Sequence, residues 1–94
     1  MPTRNSKDDL RTWKLTPQKL LNPQWALSTY RGEVYIRAPS EAAARRFAAS
    51  EFASEPSKIS SRSPWFFEVL VTAEVVEDQR FASINVPGVV FRGR

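Results

Sequence analysis

The stretch VYIRAPSEAAARRFAAS, residues 34–50, carries two different periodicities back to back. From Glu33 to Ala38 polarity alternates. Val34, Ile36 and Ala38 share one side; Glu33, Tyr35 and Arg37 share the other. A period of two predicts a half-buried strand. Pro39 ends it, and from Ser40 the pattern becomes helical. The alanine-rich run has high helix propensity. The Ser40 hydroxyl can accept from the free amides of a first turn, and Glu41 puts negative charge at the positive end of the helix dipole. Glu41 and Arg45 stand four apart in the favourable order. On a helical wheel Ala43, Ala44, Phe47 and Ala48 form one face with Phe52 at its border, while Arg45, Arg46 and Ala49 point away. Glu51 falls inside the apolar arc, so either the helix frays before it or Glu51 overhangs a sheet and meets an arginine. Small alanines let a helix lie close to a flat surface, which calls for a sheet beneath it.

Flanking segments supply that sheet. Residues 1–10 are polar, mixed in charge, and read as a flexible arm before a single domain over 11–94. Trp13 and Leu15 around Lys14 give a strand signal. Pro17 and Pro23 break the chain, with one short helical turn expected at Lys19 to Leu21. Trp25 and Leu27 read as anchors under a loop or on a short strand. Tyr30 to Glu33 is a turn in which Gly32 can take positive φ. Residues 54–64 are rich in Ser and Pro and read as a loop. WFFEVLVTAEVVED then gives the longest strand, with Phe67, Val69, Val71, Ala73 and Val75 on its apolar face. DQRFASINVPG reads as a loop, and residues 89–92 as a last short strand. The expected fold is α+β, a small two-layer sandwich. A three- to four-stranded, mostly antiparallel sheet carries one main helix in the order β-β-α-β-β. Parallel strands around the helix would require a right-handed crossover. The expected buried layer is Val34, Ile36, Ala44, Phe47, Ala48, Val69, Val71 and Ala73, with a tryptophan closing one end.

The 94-residue chain has neither cysteine nor histidine. Without them there is no thiolate or imidazole for nucleophilic catalysis, zinc hydrolysis or haem ligation. Carboxylate chemistry would need paired acids. Glu68 and Glu74 share a strand face but lie roughly 20 Å apart at strand rise. The sequence therefore predicts a non-catalytic protein with no cofactor and no metal. The strand-to-helix junction resembles a phosphate-binding turn in outline only. It has no glycine, Pro39 offers no N–H, and Glu41 repels an anion. The N-terminal segment lacks an apolar core of signal-peptide length. The most apolar run is too short and acidic to span a bilayer. A cytoplasmic protein without membrane contact is expected.

The side of the sheet away from the helix is the leading candidate surface, with Tyr35, Arg37, Phe66 and Leu70 upon it. Such a patch suits a protein partner, either a second copy or a heterologous chain. A second reading is nucleic-acid binding, helped by a net charge of +4. Arg4, Lys7, Arg11 and Lys14 in the basic arm would track phosphates while Tyr35 and Arg37 stack on bases. Glu68 and Glu74 on that face oppose it and are expected to pair with Arg37. Two further readings are a solvated arm and a patch covered by the chain's own N-terminal segment, with Trp13 or Trp25 folded over it.

The pattern W-x-x-S-x-Y-x-G-x-V-x-I-R-A-x-S-E-x-x-A-R, Trp25 to Arg45, followed by SPW at Ser63 to Trp65, resembles small uncharacterised bacterial and phage proteins with a strand–helix–strand core. The resemblance covers about half the chain and is structural. It implies a bacterial or phage origin, with an adaptor or inhibitor role fitting the size, and carries no functional residue over.

Overall fold

The junction at Pro39 and Ser40 forms as its residues dictate. Strand β2 runs Val34–Ala38, and helix α1 follows at Glu41–Glu51. Ser40 caps the helix, its Oγ accepting from the Ala43 N–H at 3.2 Å. The computed structural model describes residues 10–54 and 62–93. The arm at 1–9 and the centre of the Ser/Pro loop at 55–61 lie outside these. Around the junction stand β1 (Arg11–Pro17), β3 (Val71–Val76) and β4 (Gly88–Arg92). They form one sheet in the order β3-β1-β2-β4, and every neighbouring pair is antiparallel. β2 and β3, which flank the helix in sequence, are thus parallel to each other with β1 between them.

The core lies between the sheet and α1. Leu15, Val34, Ile36, Ala38, Ala44, Ala48, Ala49, Phe52 and Val71 are all buried there, together with Trp25 and Trp65. Trp25 and Trp65 meet edge to face with ring centroids 5.5 Å apart, a favoured aromatic geometry. Trp13 stands apart from them, its indole N–H donating to the Ala38 carbonyl from within the sheet.

The helix is rotated from the expected wheel. Ala49 and Arg45 are buried, whereas Phe47 is only partly so. The cause is a second flank, a short 3-10 helix at Pro64–Phe66 that packs beside α1. The Arg45 guanidinium bridges it, bonding Glu41 from Nε at 2.8 Å and the Trp65 carbonyl from Nη1 at 3.1 Å. Glu51 does overhang the sheet and meets Arg92 at 3.3 Å.

β3 begins six residues later than Trp65, the expected start of the long strand. Phe67 to Leu70 make a turn in which the Phe67 carbonyl accepts from both the Leu70 and Val71 amides. Val69 therefore leaves the apolar face and is 62% exposed, and Leu70 turns inward to 1% exposure. At Lys19 to Leu21 the chain makes a single hydrogen-bonded turn, the Asn22 amide donating to the Lys19 carbonyl at 2.9 Å, and no helix. Lys19 takes φ 54°, and the 3-10 helix comes later, at Pro23–Leu27 under an Asn22 cap. Gly32 is needed for closeness and not for positive φ. A Cβ there would lie 2.7 Å from the Tyr30 hydroxyl, which donates to the Glu33 carbonyl.

One irregularity decides which side chains meet on the far side of the sheet. The β2–β4 register slips between Tyr35 and Ile36, so that Tyr35 opposes Phe91 and Ile36 opposes Val89. An extra residue in a period-two strand moves everything beyond it to the other face. Val89 thereby packs on the core, while Phe91 joins Tyr35 opposite the helix.

Candidate interaction surface

The far side of the sheet is closed over β2 and β4. Residues 77–87, linking β3 to β4, fold back across β2 and β4. Phe81 is buried there, 5.5 Å from Tyr35 and 5.9 Å from Phe91 between ring centroids. The Arg80 guanidinium lies 4.8 Å from the Phe81 centroid, 5.1 Å from Phe91 and 5.7 Å from Tyr35. A cation over ring faces is attracted by their quadrupoles, so Arg80 caps the three rings. Asp78 holds Arg80 in place at 2.7 Å. The hydrogen bond from Arg80 keeps the Asp78 carboxyl below the usual carboxylate range, and the same bond pushes Arg80 up.

Arg37 ties this loop to the sheet. It is 8% exposed. Its Nε donates to the Ile84 carbonyl at 3.0 Å, Nη2 to the Ala82 carbonyl at 3.4 Å, and Nη1 to the Thr12 hydroxyl at 2.9 Å. The expected pairing with Glu68 or Glu74 does not form. Glu68 sits in the turn before β3, and Glu74 lies opposite Lys14 across the β1–β3 ladder. The fork of a guanidinium suits divergent carbonyls, which is why an arginine and not a lysine can join two segments here. Beside Arg37 is a recess of about 700 Å³ lined by Arg11, Thr12, Val76, Glu77, Asp78 and Gln79 among others. Its charges are of both signs, so it favours neither an anion nor a cation.

The four residues expected to share an open patch are thus dispersed. Tyr35 and Arg37 lie under the 77–87 loop. Phe66 is on the 3-10 helix against the core, and Leu70 is inside the core. Trp13 bonds Ala38 within the sheet and Trp25 is buried in the core, so neither folds over Tyr35 and Arg37. Of the basic residues, Arg11 is exposed and Lys14 stands 3.7 Å from Glu33. Arg4 and Lys7 lie outside the described residues. Arg80, Phe81 and Phe91 were missed in the sequence. The signal was there in Phe81 and Ile84, two large apolar side chains three apart in the loop.

Among the described residues, what stays open is the β3 side. Val75 is 43% exposed, because the helix does not reach over the outer strand. Val69 and Phe67 lie just before it, and both are exposed. Gln18 locks the adjoining segment against them, its amide donating to the Leu70 carbonyl and its side chain to that of Val69. Leu21, three residues further on, is almost wholly in solvent. Among the described residues no helix is long and apolar enough to cross a membrane, and no group of three acidic side chains is placed to hold a metal ion. No protein-family model, curated protein or solved structure matches this chain.

Proposed function

We propose that this protein is a non-catalytic module that works by protein–protein contact, and that the contact is made along β3. One observation carries the reading. Among the described residues β3 is an outer strand with no neighbour on one side, flanked by exposed Val69 and Val75. Unpaired main-chain groups beside apolar side chains form a template onto which another chain can add. The nucleic-acid alternative draws less from the geometry. The Tyr35 ring is engaged by Phe81, Phe91 and Arg80, and the Arg37 donors are spent on loop carbonyls and Thr12. A cytoplasmic setting goes with the proposal, since a chain without cysteine makes no demand on an oxidising compartment.

The test is site-specific photo-crosslinking in living cells. A photoreactive residue at Val75 should give discrete protein adducts. The same residue at Arg46, exposed on α1, should give none. Equal labelling at the two positions, or no adduct at Val75, overturns the proposal.

A further inference from the structure

We propose that the partner on β3 is an extended segment of another protein in which apolar residues alternate with lysine or arginine. This rests on the reading that β3 is the contact edge, and it adds the chemistry of the partner.

The main-chain groups on offer follow from one bond. The Gln18 amide donates to the Leu70 carbonyl at 2.8 Å, which makes Gln18 and Leu70 a hydrogen-bonded pair in the β1–β3 register. Such pairs alternate with non-bonded ones along an antiparallel ladder. Thr72, Glu74 and Val76 therefore bond to β1, opposite Thr16, Lys14 and Thr12. Ala73 and Val75 turn their N–H and C=O groups outward. The outward amide of Val71 is already taken by the Phe67 carbonyl, so the free ladder starts at Ala73. So short a ladder cannot hold a partner by itself against the entropy lost on association. Side chains must supply the rest.

Those side chains are apolar on one face and acidic on the other. On the helix side the strand shows Val75, with Val69 exposed just before it. On the far side it shows Glu74. The acids of the chain are unevenly compensated. Glu33, Glu41, Glu51 and Asp78 are in ion pairs with Lys14, Arg45, Arg92 and Arg80. Among the described residues the acidic side chains left without an ion pair are Glu68, Glu74 and Glu77. All are exposed, and all lie in β3 or within three residues of it. Lys14, opposite Glu74 in the ladder, is turned to Glu33 instead. Arg11 shares a recess with Glu77 but forms no ion pair with it. From Phe66 to Gln79 the chain has no basic residue. A protein of net charge +4 thus keeps uncompensated negative charge along this one edge.

Like charges disfavour a second copy of β3 here, and opposite charges select a basic partner. A strand added to a sheet sends alternate side chains to its two faces. On the helix side they meet Val75. On the far side they meet Glu74, with Glu68 and Glu77 toward the ends. A segment that alternates apolar with basic residues satisfies both faces at once. β4 makes no such offer. It is entered through Pro87 and Gly88 at φ 135° and ends on Arg92, and proline and a terminal charge blunt an edge.

The probe is a capped peptide of alternating lysine and valine, about seven residues long. Titrated into the isotope-labelled full chain, it should shift the Ala73 and Val75 amides and slow their hydrogen exchange. A glutamate–valine peptide of the same length should do neither. The net charge of +4 favours the second peptide over the first, so the expected order reports the edge and not general attraction. Raising salt from about 0.02 M to about 0.5 M should weaken the lysine peptide roughly tenfold, because exposed charges are screened. Combining Glu68→Lys, Glu74→Lys and Glu77→Lys in one chain should reverse the preference between the peptides. Where that variant fails to fold by circular dichroism, the combination of Glu68→Gln, Glu74→Gln and Glu77→Gln takes its place. It should weaken the lysine peptide about fivefold.

Equal affinity for the two peptides overturns the inference. So do shifts confined to another part of the chain, absence of binding at millimolar lysine peptide, or unchanged affinity in the charge variant. In cells, Val75 adducts on a second copy of the chain, or adducts that persist unaltered in the charge variant, overturn the basic partner and leave the contact edge standing. No adduct at Val75 overturns both.

Discussion

Arg37 shows how much one side chain can organise. Its guanidinium is nearly buried and reaches Thr12 on β1 and the carbonyls of Ala82 and Ile84 in the loop. Removing a charged donor from buried acceptors costs about 1–3 kcal/mol. Arg37→Ala should lower the unfolding free energy measured in urea by that amount, and Arg37→Lys should recover little, since an ammonium cannot span the same three acceptors. In hydrogen exchange, loop amides 80–84 should lose protection in both variants. Asp78 offers a second probe of the same cover. Its carboxyl lies below the usual range because it accepts from the Arg80 side chain and backbone. A folded value below the unfolded one means that the pair's contribution is present above the ordinary aspartate range and lost as pH falls through the lowered value. The Asp78 carboxyl carbon should titrate below a free aspartate by NMR. In Arg80→Ala it should move back up toward the free value.

Among the elements, α1 is where local sequence and fold agree best. Ser40→Ala should cost about 1 kcal/mol through loss of the cap bond to Ala43, measured by thermal denaturation, and Ser40→Asp should restore it. The strand-to-helix junction, β2 and the antiparallel sheet were legible, because period and capping are local signals; for Glu51 the sequence left two alternatives open, and the pairing with Arg92 decides between them. Three features were not. The helix turned toward Ala49 and Arg45 because Pro64–Phe66 covers its second flank, and no local pattern reveals that Trp65 will arrive there. β3 lost its first residues to the Phe67–Leu70 turn, although Phe67 and Val69 keep the alternation of a strand. The Phe67 carbonyl takes two amides, and the turn wins over propensity. The expected surface failed for the same reason. Tyr35 and Arg37 do point away from the helix, as alternation requires. What covers them is a loop whose anchors, Phe81 and Ile84, become meaningful only once the bulge in the β2–β4 pairing has brought Phe91 to the same side.

For the whole molecule, stability should be concentrated in one aromatic node. Trp65 meets Trp25 edge to face and lies tilted against Phe52, the residue that caps the end of α1, with ring centroids 5.4 Å apart. Its indole N–H donates to the Ser28 hydroxyl at 2.9 Å, and its carbonyl receives the Arg45 guanidinium. It thus joins both 3-10 helices, α1 and the chain leading into β2. Replacing a buried tryptophan by alanine costs about 3–5 kcal/mol, against a total of about 5–15 kcal/mol for a domain. Trp65→Ala should therefore consume a large share of the reserve and lower the melting temperature by roughly 15–30 °C at this size. Trp65→Phe keeps a ring in the node but leaves the Ser28 hydroxyl without its donor, so it should fall between the unmodified chain and Trp65→Ala. Leu21→Ser is the control. Leu21 is 99% exposed, so its loss should shift stability by no more than about 0.5 kcal/mol in either direction. A single cooperative unfolding transition in all four proteins, with midpoints ordered Leu21→Ser with the unmodified chain, then Trp65→Phe, then Trp65→Ala, is the expected result. Separate transitions for the sheet and for the helix side would show that the node does not hold the molecule together as one unit.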